Sequence, residues 1–223
     1  MGRPLRVDGI GVWHNVSHRA AAQRLAFRDD VDKRLMWRLF GCLDRRFGVE
    51  VHALILLDTH LHAVVRSRDG RLSEAAQWLF SVYTKAFNVR HGLDGALFRG
   101  RFWSEPIRDL DQLCHTIRYA HENALDVARV TDPISYRWST CAAHAGAGRG
   151  PGWLPRLGVA YALRHDTRLA KSTRKRPSAA VAAGPPRVPR SLVERAVAIF
   201  ESSDEPFISL DFRTGLFRAR APG

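Results

Sequence analysis

Lysine is nearly missing from this chain of 223 residues: only four of its 35 basic residues are lysines, and the other 31 are arginines. Cysteine is scarce as well, with Cys42, Cys114 and Cys141 far apart and no CxxC pair. An odd, scattered set of three thiols excludes a disulfide framework and a zinc ribbon, and reads as a reduced, cytosolic protein. Long apolar runs are also absent. Runs such as Ala53 to Leu57 fall far short of the ~20 residues that a membrane helix needs. The opening MGRPLRVDGIGVWHNV holds no apolar stretch fit for a signal peptide. Acid is in deficit: 22 Asp and Glu against 35 Lys and Arg leave a formal charge of +13. An excess of that size points to a polyanionic partner, nucleic acid ahead of an anionic membrane surface. Hydrophobic residues at 45% and charged residues at 26% are ordinary globular values, so a packed core is expected.

Apolar periodicity sets the expected elements. Residues 7–16 read as a first strand. In 28–48, Val31, Leu35, Met36, Leu39, Phe40 and Leu43 form one stripe of an amphipathic helix, capped by Asp29 or Asp30 and ended by Gly48. Residues 49–57 and 60–66 are strand-like and joined by a tight Asp58-Thr59 turn. Ser73 opens a second helix to about Val89, and 102–107 is a short edge strand stopped by Pro106. Asp109 and Gln112 form a capping pattern for a third helix over 110–125. Strand, helix, strand, strand, helix, strand is the ferredoxin-like or RRM-like order, an α+β class with helices packed on one face of the sheet. Residues 1–142 are expected to be the main folded domain, 143–190 a loop and basic linker, and 191–223 a small helix and strand extension. Residues 164–190 carry eight basic residues, one acid and four prolines, a composition for tracking phosphates without packing a core.

Chemistry concentrates in His60-Leu61-His62 and in the third helix. Alternation along a strand turns both imidazoles to one face and Leu61 to the other, so the pair can converge on one divalent cation. On the helix, Leu113, Ile117, Ala120 and Ala124 form the apolar stripe, while His115, Tyr119 and Asn123 share the opposite side. A tyrosine placed off the apolar stripe is not there for packing; Tyr83, on a face with Leu79, Val82 and Ala86, is the contrasting core tyrosine.

THLHAVV resembles the HUH motif (His, bulky apolar, His) of single-tyrosine HUH transposases. YTKAFNVRHGLDGALFRGRFWSEPI at 83–107, IRYAHENALDV at 117–127 and SYRWST at 135–140 are similar to one branch, the REP-associated tyrosine transposases. The resemblance covers roughly residues 8–141. It implies the HUH endonuclease fold, a Mg²⁺ or Mn²⁺ held by His60, His62 and Asn123, and Tyr119 as the catalytic nucleophile. It further implies cleavage and rejoining of single-stranded or hairpin DNA, as in DNA transposition, through a covalent 5′-phosphotyrosine. Arg99, Arg101 and Arg108 are candidate phosphate contacts, with Trp103 available to stack on unpaired bases. One segment departs from the family: AHENALDV stands where a sequence like IHLNPV is usual, with Glu122 for an apolar residue and Ala124 for the proline. That departure motivates an alternative reading, a catalytically weakened hairpin-binding regulator derived from a transposase. A small metallohydrolase using the two histidines is the third. The expected setting is the cytoplasm, at the nucleoid, with the oligomeric state open between monomer and homodimer.

Overall fold

The computed structural model describes residues 8–127 and 130–155; the basic linker from 164 and the extension over 191–223 lie outside the described residues. A four-stranded antiparallel sheet forms the centre, built from β1 (Val12–Arg19), β2 (Val49–Leu57), β3 (His60–Ser67) and β4 (Trp103–Ile107) in the spatial order β2-β3-β1-β4. This is the strand order of the expected α+β class. The first strand begins later than residue 7, because 8–11 form a turn in which Gly11 takes a φ of 77°. The expected helix over 28–48 is two, α1 (Asp30–Gly41) and α2 (Leu43–Phe47), separated at Cys42. Asp29 caps α1 by accepting from the amides of Val31 and Asp32. Gly48, at φ 62°, ends α2 in the left-handed conformation and hands the chain to β2.

The helix α3 (Leu72–His91) does not use Ser73 as its cap. Asp8 takes that role from across the fold, its carboxylate accepting from the amides of Leu72 at 3.1 Å and Ser73 at 2.8 Å. The helix α4 (Leu110–Val127) begins as its sequence implies. The Asp109 carboxylate accepts from the Gln112 amide at 2.7 Å, and Gln112 Oε1 accepts from the Arg108 amide at 2.8 Å.

The helices do not all lie on one face, which corrects the layer arrangement expected from sequence. Helices α1, α2 and α3 pack on one side, where Leu39, Phe40, Phe47, Leu79 and Tyr83 join Val16, Leu61, Ala63 and Val65 of the sheet in the main core. Helix α4 covers the other side: Leu113 and Ile117 meet Ala53 and Val64, while Ala120 and Ala124 meet Ile55 and Leu57. A bulge at His52 sets which residues take each side. Val51 pairs with Val65 and Ala53 with Val64, so one extra residue inverts the alternation. Val49 and Val51 face the main core before the bulge, as do Leu54 and Leu56 after it; Ala53, Ile55 and Leu57 then form the seat of α4. Burial on both faces explains why VEVHALILL reads as a nearly continuous apolar run.

Residues 138–140 close the free edge of β2, with the Leu56 amide donating to Trp138 and the Thr140 amide to Leu54, both at 2.9 Å. Packing continues past residue 142 through α5 (Cys141–His144) to Leu154. Trp153 sets its ring 5.3 Å from that of Trp37 and lies over Gly41, where a Cβ would stand 2.6 Å from the indole.

Candidate active site

His60 and His62 owe their common face to the alternation of β3, whose other side sends Leu61, Ala63 and Val65 into the main core. Their rings are 5.2 Å apart between centroids. Register with β1 places Arg19 opposite His60 and Ser17 opposite His62. The next strand extends the row, since Ser17 also pairs with Trp103 of β4. Because α4 lies on this same side of the sheet, its Tyr119 reaches the histidines: the phenol ring sits 6.0 Å from that of His62, nearly perpendicular to it. Half of the Tyr119 side chain, 51%, remains open to solvent. Asn123 follows one turn later, and its Nδ2 donates to the Tyr119 carbonyl at 2.6 Å. His60 and His62 thus meet Tyr119, which lies 57 residues beyond His62 in sequence, at one surface.

The seat of α4 holds Tyr119 in place from behind. His121, two residues on, points into the interior, where its Nε2 meets Nδ1 of His144 at 2.8 Å and its Nδ1 meets Ser139 Oγ at 3.0 Å. This buried chain ties α4 to the segment that closes the β2 edge. Burial pushes His121 well below the ordinary histidine range and brings His144 down to about 4, so the pair is neutral at physiological pH.

Electrostatics also keep the site histidines neutral. Burial is the main cause lowering His60, with the Arg19 charge adding to it. His62 is pushed down to about 4, first by burial, then by His60 and Arg19. A neutral imidazole offers a nitrogen lone pair, which is what a metal ligand needs. The Nδ1 of His60 is paired with Thr59 Oγ1 at 2.9 Å, which orients the ring and leaves Nε2 as the nitrogen outside that pairing. Among the described residues no three His, Cys, Asp or Glu side chains gather as a metal site. The two imidazoles are therefore the only side chains of these types that meet here among the described residues, fewer than the full set of ligands a divalent cation takes.

The candidate nucleic-acid contacts divide. Trp103 is 49% exposed and shares the row of Ser17 and His62, two strand spacings or ~10 Å from the latter. Its neighbour Phe102, just before β4 begins, is buried in the main core. Arg99 lies beside Arg19, donating its amide to the Arg19 carbonyl at 2.9 Å. Arg101 rims a cavity on the α3 side of the sheet. Arg108 stands at the entry to α4, eleven positions and therefore ~16 Å of helix rise before Tyr119. Sequence reasoning missed Arg19 and Ser17. Their alternation along β1 is visible in the sequence, but the register that sets them against the histidines is not.

No family model and no curated protein match the chain. Among solved structures it is similar to that of a REP-associated tyrosine transposase bound to a REP hairpin. The TM-score is 0.56 at 16% identity, over 70% of this chain and 89% of the other. A likeness at that identity establishes a common fold.

Proposed function

We propose that this chain is a divalent-metal-dependent endonuclease and strand transferase that acts on hairpin-forming single-stranded DNA, with Tyr119 as nucleophile. The observation that carries the proposal is the approach of an exposed phenol to two neutral histidines, Tyr119 lying 6.0 Å from His62. Its support from kinship is the fold shared with a transposase that binds a REP hairpin. The net charge of +13 suits a phosphate backbone.

In this reading Tyr119 Oη attacks the scissile phosphorus, losing its proton to solvent, while the bond from phosphorus to the 3′ oxygen breaks. The leaving oxygen takes up a proton as the 3′-hydroxyl of the upstream strand, and the downstream strand stays on Tyr119 through its 5′-phosphate as a phosphodiester. The bond is conserved in that link, so a second 3′-hydroxyl can reverse the step and join a new strand without ATP. His60 and His62 would hold the Mg²⁺ or Mn²⁺ with Asn123, and two nitrogen donors favour Mn²⁺. When bound, the ion would supply positive charge against the negative charge that builds on the phosphate. Arg19, level with His60 on the neighbouring strand, adds a fixed cation, and Trp103 offers a stacking surface.

The test is an adduct assay. Incubation with Mn²⁺ and a labelled hairpin carrying a single-stranded flank should leave label on the denatured protein, and Tyr119→Phe should abolish it. Label retained by the Tyr119→Phe protein would overturn the assignment. The second reading, a hairpin-binding regulator, draws on the 120–127 segment, where α4 runs unbroken with Ala124 buried and Leu125 exposed. Tight hairpin binding without an adduct in any divalent metal would favour it.

A further inference from the structure

We propose that Glu105 and Asn15, on the part of the sheet that α4 leaves open, read one unpaired base of the bound strand, and that this base is guanine. The inference rests on the single-strand reading above and adds the base that the site selects. Pairing between β1 and β4 sets the surface out in order: Trp13 opposite Ile107, Asn15 opposite Glu105, Ser17 opposite Trp103. All six face the side of the sheet that carries α4. Trp13 and Ile107 join the apolar cluster under that helix, whereas the alternate residues His14 and Ser104 meet on the other side, Ser104 Oγ lying 3.2 Å from His14 Nδ1. From the Trp13–Ile107 pair, α4 runs over Val64 and Ala53 to Ile55 and Leu57 of β2, away from β4. The next two pairs therefore stay open. Glu105 and Trp103 are exposed, and Asn15 and Ser17 are half-buried.

Charge makes Glu105 the unusual member of this surface. Arginines stand at both ends of it, Arg19 closing β1 and Arg108 following β4. A carboxylate between them repels a phosphate backbone, and so lowers affinity for any strand that offers it nothing else. Among the described residues the Glu105 carboxylate has no ion pair or hydrogen bond, and neither has the side-chain amide of Asn15. A carboxylate supplies two acceptors, and an amide beside it supplies donors. Guanine carries the matching edge. Its adjacent N1–H and N2–H₂ groups donate to the two carboxylate oxygens, and O6 next to them accepts from the amide. Cytosine and adenine set a ring acceptor beside their amino group, which would face the second carboxylate oxygen. Thymine has a single N–H between two carbonyls. Unpairing exposes this edge, which a duplex hides. Trp103 lies two residues along the same face, ~7 Å away, so a neighbouring base can stack there while the guanine is read. Ser17, opposite Trp103, is also opposite His62, which ties the reading position to the strand held at Tyr119.

The test uses the full chain in metal-free buffer and a labelled hairpin whose single-stranded flanks are all thymine, with guanine placed at each flank position in turn. Fluorescence anisotropy should show about tenfold tighter binding with guanine at one position, within the range of one bidentate base contact. Inosine at that position, which lacks only the 2-amino group, should lose most of the gain, while 7-deazaguanine, which keeps the whole edge, should retain it. Glu105→Gln should abolish the preference yet bind the all-thymine hairpin at least as tightly as the unaltered protein, because it removes a negative charge facing the backbone. That affinity also shows that the variant is folded. Asn15→Ala should reduce the preference about fivefold, the range of one neutral hydrogen bond. Equal binding of guanine and thymine at every position would overturn the inference and leave the proposed function standing, as would a guanine preference that survives Glu105→Gln. No binding to any of these hairpins would overturn both.

Discussion

Replacing His62 by glutamine in metal-free buffer should make the protein more resistant to acid. His62 is held neutral at about 4 by burial first, then by the charges of His60 and Arg19, whereas a histidine in the unfolded chain titrates near 6.5. A folded-state value below the unfolded one means that the unfolded chain binds more protons between those limits. Stability from this group is therefore complete above pH 6.5 and is lost as pH falls toward 4. Integrating the proton difference from pH 7.5 to pH 5 gives a loss of about 2 kcal/mol from His62 alone. Urea denaturation of wild type and His62→Gln at the two pH values reads this quantity, because losses from His60, His121 and His144 are common to both proteins. The variant should lose about 2 kcal/mol less than wild type over that interval. Equal losses in the two proteins would refute the reasoning, for they would mean that His62 titrates when folded much as it does when unfolded. The same burial that makes the group acid-sensitive keeps its lone pair available for a metal through mildly acidic conditions.

Trp103→Ala should leave stability within about 0.5 kcal/mol, because half the side chain is already in solvent, yet weaken single-strand binding about tenfold in a fluorescence titration. Asp109→Ala removes the carboxylate that accepts from the Gln112 amide and should cost about 1 kcal/mol in urea denaturation, with adduct formation slowed because α4 carries Tyr119.

Local chemistry was legible in the sequence wherever neighbouring residues decide it. The Asp58-Thr59 turn, the Asp29 and Asp109 caps and the left-handed Gly48 each depend on a few consecutive positions, and each is found where the pattern put it. The cap of α3 was not legible, because Asp8 supplies it from more than sixty residues away while Ser73 looks like the local choice. The two-sided sheet was hidden for a related reason. An apolar run such as 49–57 is compatible with one covered face or two, and the bulge at His52 that inverts its alternation has no signature in a single strand.

At the candidate site, the sequence by itself determined the residue types and their faces. Two histidines at i and i+2 must share one side of a strand, and Tyr119 and Asn123 at i and i+4 must share one side of a helix, because backbone periodicity allows nothing else. Only the tertiary structure decided that these two faces meet. Helix α4 crosses the sheet on the histidine side because Ala53, Ile55 and Leu57 offer it an apolar seat there, and that seat exists only after the bulge. Strand register likewise brought Arg19 beside His60 and Ser17 beside His62. Periodicity is a property of a segment, whereas register and layer order follow from which apolar surfaces the whole chain can bury together.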